Sequence, residues 1–109
     1  MTTFLILLAF GLLIVILGAI NMTGNLSTLH AYHYKRVKEA DRKPFGRLVG
    51  IGTALIGVSA IGYGVCFLLM EQTGAEGWVL GGVVSLLIGI FAGIGITVYA
   101  MMKYNKGIF

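Results

Sequence analysis

His30 and His33, three residues apart and preceded by Ser27 and Thr28, come nearest in type and spacing to residues that could do chemistry. A His-x-x-His pair offers two nitrogens to a metal. A zinc centre takes three or four protein ligands, and no cysteine or carboxylate stands at ligand spacing beside these two. A hydroxyl nucleophile at Ser27 or Thr28 would need a base and an orienting acid within reach. The histidines are near, but the closest acids in sequence are Glu39 and Asp41, and so short a segment encloses no pocket. Gly46, Gly50 and Gly52 are not a phosphate loop, because no strand precedes them and no Gly-Lys-Ser/Thr comes after. Cys66 is a single cysteine, which rules out an internal disulfide. We expect no catalytic residue, no cofactor, no metal and no enzyme.

The elements around these residues are apolar. Three stretches, roughly 3–20, 46–70 and 78–102, each approach or exceed the ~20 apolar residues that a helix needs to cross ~30 Å of hydrocarbon. All 8 Lys and Arg residues fall outside the apolar cores of these stretches. One group runs from Lys35 to Arg47, and Lys103 and Lys106 close the chain. Three crossings place both groups on one side and Glu71 and Glu76 on the other, which is the positive-inside arrangement. The predicted topology has the N-terminus outside, a cytoplasmic basic segment at 21–47, an outer turn at 71–77 and a cytoplasmic C-terminus.

Composition agrees. At 109 residues, 58% hydrophobic and 11% charged, the chain forms one membrane domain with no room for a soluble one. A net charge of +4 would suit nucleic acid if it lay on a soluble face. Beside membrane spans the basic residues serve orientation instead, so we expect no nucleic-acid partner. The first stretch lacks a basic leader and a small-residue cleavage pattern, and reads as a retained span. The expected fold class is all-α, with three transmembrane helices and a short interfacial helix between the first and second.

That interfacial helix is expected over 29–43. Leu29, His33, Val37 and Ala40 recur every three or four residues, leaving Lys35, Arg36, Lys38 and Arg42 to the polar side. Lying on the inner leaflet, it would bring long basic side chains to anionic headgroups of the bilayer. Before it, Gly24 and Asn25 allow a bend, and Ser27 or Thr28 can cap a new helix. Pro44 suits the first turn of the next one, where its missing N–H has no intrahelical partner. Asn21, Asn25, Ser27, Thr28, His30, His33, Lys35 and Arg36 are the candidate contacts to a partner or a lipid headgroup. The competing reading is that these groups cap helix ends and satisfy freed backbone at the interface.

The chain has 17 glycines, most of them inside the spans. Gly81, Ser85, Gly89, Gly93 and Thr97 recur every four residues in the third helix. Gly50, Gly57 and Gly64 recur every seven in the second, and Gly11 and Gly18 share that spacing in the first. Helices in lipid associate through close backbone approach across small residues. The third-helix face is the expected packing interface, either within the chain or in a homo-oligomer, most simply a dimer.

The pattern Ile20-Asn21-Met22, Gly24-Asn25, Ser27-Thr28-Leu29-His30, Tyr32, Arg36-Val37, Asp41-Arg42-Lys43-Pro44-Phe45-Gly46 and Val49-Gly50 resembles the juxtamembrane segment of small uncharacterised three-helix membrane proteins of Gram-positive bacteria. The similarity covers mostly residues 17–62. It implies a bacterial plasma membrane and adds no activity. The expected function is that of a non-enzymatic accessory, regulatory or immunity-like subunit that binds another membrane protein. The alternative is a small homo-oligomeric channel or passive transporter.

Overall fold

The computed structural model describes residues 1–27, 29 and 34–107. Three helices make up most of it: α1 (Thr2–Met22), α2 (Arg42–Thr73) and α3 (Gly77–Ala100). A 3-10 turn, Glu39–Asp41, leads into α2, and a π-helical turn, Met101–Asn105, continues α3. All three helices are long and apolar enough to cross a membrane.

α2 outruns the expected span at both ends. It starts at Arg42, so that Pro44 is its third residue, still inside the first turn where the proline ring costs no hydrogen bond. It continues to Thr73, whose Oγ1 donates to the Leu69 carbonyl at 2.6 Å. Gly74 then takes the left-handed conformation (φ 73°) and its N–H donates to the Met70 carbonyl at 2.8 Å. A side chain would be strained there, and glycine ends the helix without that penalty. With 32 residues, α2 is about 48 Å long. The molecule measures 52 × 20 × 17 Å.

The described part of the 29–43 segment is not one continuous helix. Residues 34–36 form a turn, closed by the Val37 N–H on the Tyr34 carbonyl at 3.0 Å, and Lys38 is extended. The cause is packing. Leu26 and Val37 are buried against Phe45 and Met101, with Leu29 and Tyr34 packed beside them. A straight interfacial helix would lay its apolar stripe on the membrane, whereas this path turns Val37 into the protein.

α2 is central. Gly46, Gly50, Gly57 and Gly64 face α1, and Gly52 and Ser59 face α3. At 3.6 residues per turn these two series lie on opposite sides of α2. α1 and α3 make no comparable contact with each other, so the helices form a row. Contact along both seams is backbone to backbone at several positions. A methyl group built on Gly18 would sit 2.6 Å from the Gly50 carbonyl oxygen, and one on Gly50 would meet the Gly18 carbonyl. Gly11 and Gly57 show the same reciprocity at 2.8 and 2.7 Å. Gly52 repeats it against the Gly93 carbonyl at 2.6 Å. Large side chains point outward: Phe91 is 70% exposed, Ile88 65% and Phe10 57%.

Candidate functional site at the basic end

The side-chain core lies at one end, where Leu26, Leu29 and residues 34–41 converge with the start of α2 and the end of α3. Phe45 is fully buried at its centre, with Val49, Leu26, Val37, Ala100 and Met101 around it. The Tyr104 ring meets Phe45 edge to face, with centroids 6.3 Å apart. Spacing explains why α3 can supply this. Ala100 and Tyr104, and likewise Met101 and Asn105, stand four residues apart and share a face.

Two buried asparagines tie the backbone around that core. Asn105 is completely buried. Its Oδ1 accepts the Arg36 N–H at 2.7 Å, and its Nδ2 donates to the Gly107 carbonyl at 2.9 Å. It thereby joins the end of α3 to the segment before α2. Asn21, 1% exposed, donates from Nδ2 to the Asn25 carbonyl at 3.0 Å. Its own carbonyl accepts the Gly24 N–H and lies where a side chain on Gly46 would have to go. Asn25 Oδ1 accepts the Ser27 N–H at 3.0 Å, a side-chain turn that reverses the chain after α1.

The candidate contact residues therefore divide. Asn21 is buried and engaged with backbone, while Asn25 and Ser27 are exposed at the turn. Lys35 and Arg36 are exposed, with the Arg36 main chain held by Asn105. Thr28, His30 and His33 lie outside the described residues.

All the Lys and Arg side chains are exposed at this end. Some are held over aromatic rings. The Arg42 guanidinium lies 5.8 Å from the Tyr34 ring centroid, and Lys103 Nζ lies 5.3 Å from Tyr104 and 5.9 Å from Tyr99. Among the described residues, the ion pair within 4.0 Å is at the other end, where the Met1 ammonium meets Glu71 Oε1 at 3.3 Å. Also at that far end, an open apolar groove of about 480 Å³ is lined by Met70, Glu76, Val79, Leu80 and Val83.

The α3 stripe divides as well. A methyl on Gly89 would strike Ser59 Oγ, Gly93 abuts the Gly52 carbonyl, and Thr97 Oγ1 stands 2.6 Å from a methyl built on Gly52. Ser59 and Thr97 satisfy their hydroxyls on their own helices, at the Leu55 carbonyl (2.7 Å) and the Gly93 carbonyl (2.9 Å). Gly81 has open space around it, and Ser85 is exposed. A four-residue row drifts by about 40° per step, so it leaves the seam. Gly82, seven residues before Gly89, takes the outer contact instead, where a methyl would lie 2.9 Å from Cys66 Cβ.

Gly82, Phe45 and Asn105 are the residues that sequence reasoning passed over. The seven-residue spacing of Gly82 and Gly89 was a usable signal, as was an aromatic directly after the helix-starting Pro44. Asn105, between Lys103 and Lys106, carries no sequence signal of burial. No family model, curated protein or solved structure matches the chain.

Proposed function

We propose that this chain is a multi-pass membrane protein acting as a non-enzymatic interaction subunit, with its basic end cytoplasmic and its N-terminus outside. The observation that supports this best is the row of three helices. Both flanks of α2 are used within the chain, and the remaining faces of all three helices are apolar and exposed. In lipid such faces are free to meet another membrane protein, and the glycine-rich seams keep the row rigid enough to present them. Between Leu48 and Met70, and within α1 and α3, there is no Asp, Glu, Lys, Arg or His, the usual mark of a coupled ion pathway.

A second reading draws on one further observation. Gly77, Gly81, Ser85, Ala92 and Gly95 are exposed along one flank of α3, beside its seam with α2. This face suits a second copy of the chain, hence a homo-oligomer, and a passive channel would have to form between copies.

Purification of the full chain from native membranes separates the two. A stoichiometric second protein supports the interaction subunit. Selective solute flux through liposomes holding the purified protein alone overturns it in favour of the channel. Orientation is tested by impermeant thiol labelling from outside. A cysteine replacing Thr73 should react and one replacing Lys38 should not, and the reverse result inverts the topology.

A further inference from the structure

We infer that the basic end is a binding surface for the phosphate of anionic phospholipids, centred on the ring-held cations Lys103 and Arg42. The inference rests on the membrane reading above and adds to it a ligand class and named residues.

Three observations carry it. The first is a surplus of positive charge. Eight Lys and Arg residues stand at this end against the two acidic side chains of Glu39 and Asp41, and among the described residues neither of these carboxylates lies within 4.0 Å of Arg42 or Lys103. The second is height. Phe45 touches Tyr104, Gly46 abuts the Asn21 carbonyl, and the Lys43 backbone lies 3.7 Å from a methyl built on Gly24. Arg42, Lys43 and Lys103 therefore stand within about two helical turns of one another and of the end of α1. That is the level at which three apolar helices give way to polar residues, and where lipid phosphates lie.

The third observation is preorganisation. A lysine or arginine loses much side-chain freedom when it is fixed on a ligand. Lys103 is already held between Tyr99 and Tyr104, and Tyr104 is anchored on the buried Phe45. Arg42 is held over Tyr34. A ring face occupies one side of each cation and leaves N–H groups for an anion. Lys35 and Lys38 carry equal charge and, among the described residues, have no ring contact. A phospholipid phosphate should therefore favour the Lys103–Arg42 pair over the Lys35–Lys38 pair.

The test uses the full chain reconstituted in phosphatidylcholine vesicles, with spin-labelled phosphatidylglycerol or phosphatidylcholine as the probe. The motionally restricted spin signal gives the relative association of each lipid. We expect a preference of at least about threefold for phosphatidylglycerol. Lys103→Gln with Arg42→Gln should bring the ratio close to unity, Lys35→Gln with Lys38→Gln should lower it less, and Lys103→Arg should retain it. Equal association of the two lipids with the native chain overturns the proposal and leaves the surface to an acidic protein segment. Equal losses in the two double variants also overturn it, because diffuse charge would then suffice. Displacement of the lipid by inorganic phosphate beyond that by chloride at matched ionic strength reassigns the site to free phosphate. Resistance of the reconstituted chain to alkaline carbonate checks the membrane reading separately.

Discussion

The seams along the spans and the cap at the basic end are built by opposite means. Along the spans the contact points are glycines, and Gly18, Gly50, Gly57, Gly52 and Gly93 each meet a carbonyl oxygen of the facing helix. At the cap the contact points are side chains: Phe45, Val49, Leu26, Val37 and Met101 are buried together, and buried asparagines close the backbone around them. Solvent explains the contrast. Lipid tails are as apolar as leucine, so burying leucine between two spans yields little and close backbone approach yields more. On the membrane reading proposed above, burying apolar surface regains its full value where the chain leaves the hydrocarbon, and the cap is a core of the water-soluble kind. The two regions should therefore fail under opposite substitutions, the seams when side chains grow and the cap when they shrink.

The largest effect is expected at the cap. Phe45→Ala removes a fully buried ring and should cost about 3–5 kcal/mol of stability, read as a lowered thermal midpoint in detergent. Phe45→Leu should recover much of it. If Phe45→Ala leaves the midpoint in place, the cap contributes nothing and the comparison breaks. Next comes the seam. Gly50→Val places branched carbons against the Gly18 carbonyl and should cost about 1–3 kcal/mol or more. Gly81→Val, made where nothing lies within 4 Å, should change stability by less than about 0.5 kcal/mol. Equal effects at Gly50 and Gly81 would show that bulk on any helix matters and that seam geometry does not.

Legibility in the sequence divides along the same line. The three long helices were plain, because an apolar run needs no knowledge of its neighbours. The seven-residue spacing of Gly11 with Gly18 and of Gly50 with Gly57 was visible too, but not which helix each would meet. The four-residue reading of α3 traced Gly81 and Ser85 off the seam, because it ignored the drift of such rows around the axis. The cap was not legible. It joins Leu26, Val37, Phe45 and Met101 from four separate segments, and no local pattern announces that they meet. For the same reason Asn21 looked like a candidate contact at the end of a span, whereas the structure buries it against the turn at Gly24 and Asn25.

A smaller effect sharpens the comparison from the polar side. Asn105→Ala deprives the Arg36 N–H and the Gly107 carbonyl of a partner at the part-buried edge of the cap and should cost about 2 kcal/mol. Asn105→Asp keeps an acceptor for the Arg36 N–H and loses the donor to Gly107, so it should fall between the native chain and the alanine variant. Amide hydrogen exchange at Arg36 gives the local reading: faster exchange in Asn105→Ala with little change in Asn105→Asp. Equal exchange in both variants would place the clasp elsewhere.

The smallest effect has the opposite sign. Lys106 ends the π-helical turn with φ at 59°, in the left-handed region where a Cβ crowds the backbone. Gly107 imposes the conformation, since its N–H returns to the Met101 carbonyl at 3.2 Å while its carbonyl accepts from Asn105. Lys106→Gly removes the crowding but also frees the unfolded chain, so the net gain should be about 0.5–1 kcal/mol. Lys106→Asn should gain a similar amount, because asparagine tolerates this region while restricting the unfolded chain more. Lys106→Ala separates strain from charge, as it deletes the ammonium and retains the Cβ. If alanine stabilises the protein as much as glycine does, the gain comes from relieving repulsion among the basic residues. If alanine gives nothing while glycine and asparagine raise the thermal midpoint, the strain at Lys106 is what the cap sustains to bring Asn105 beneath the Arg36 N–H.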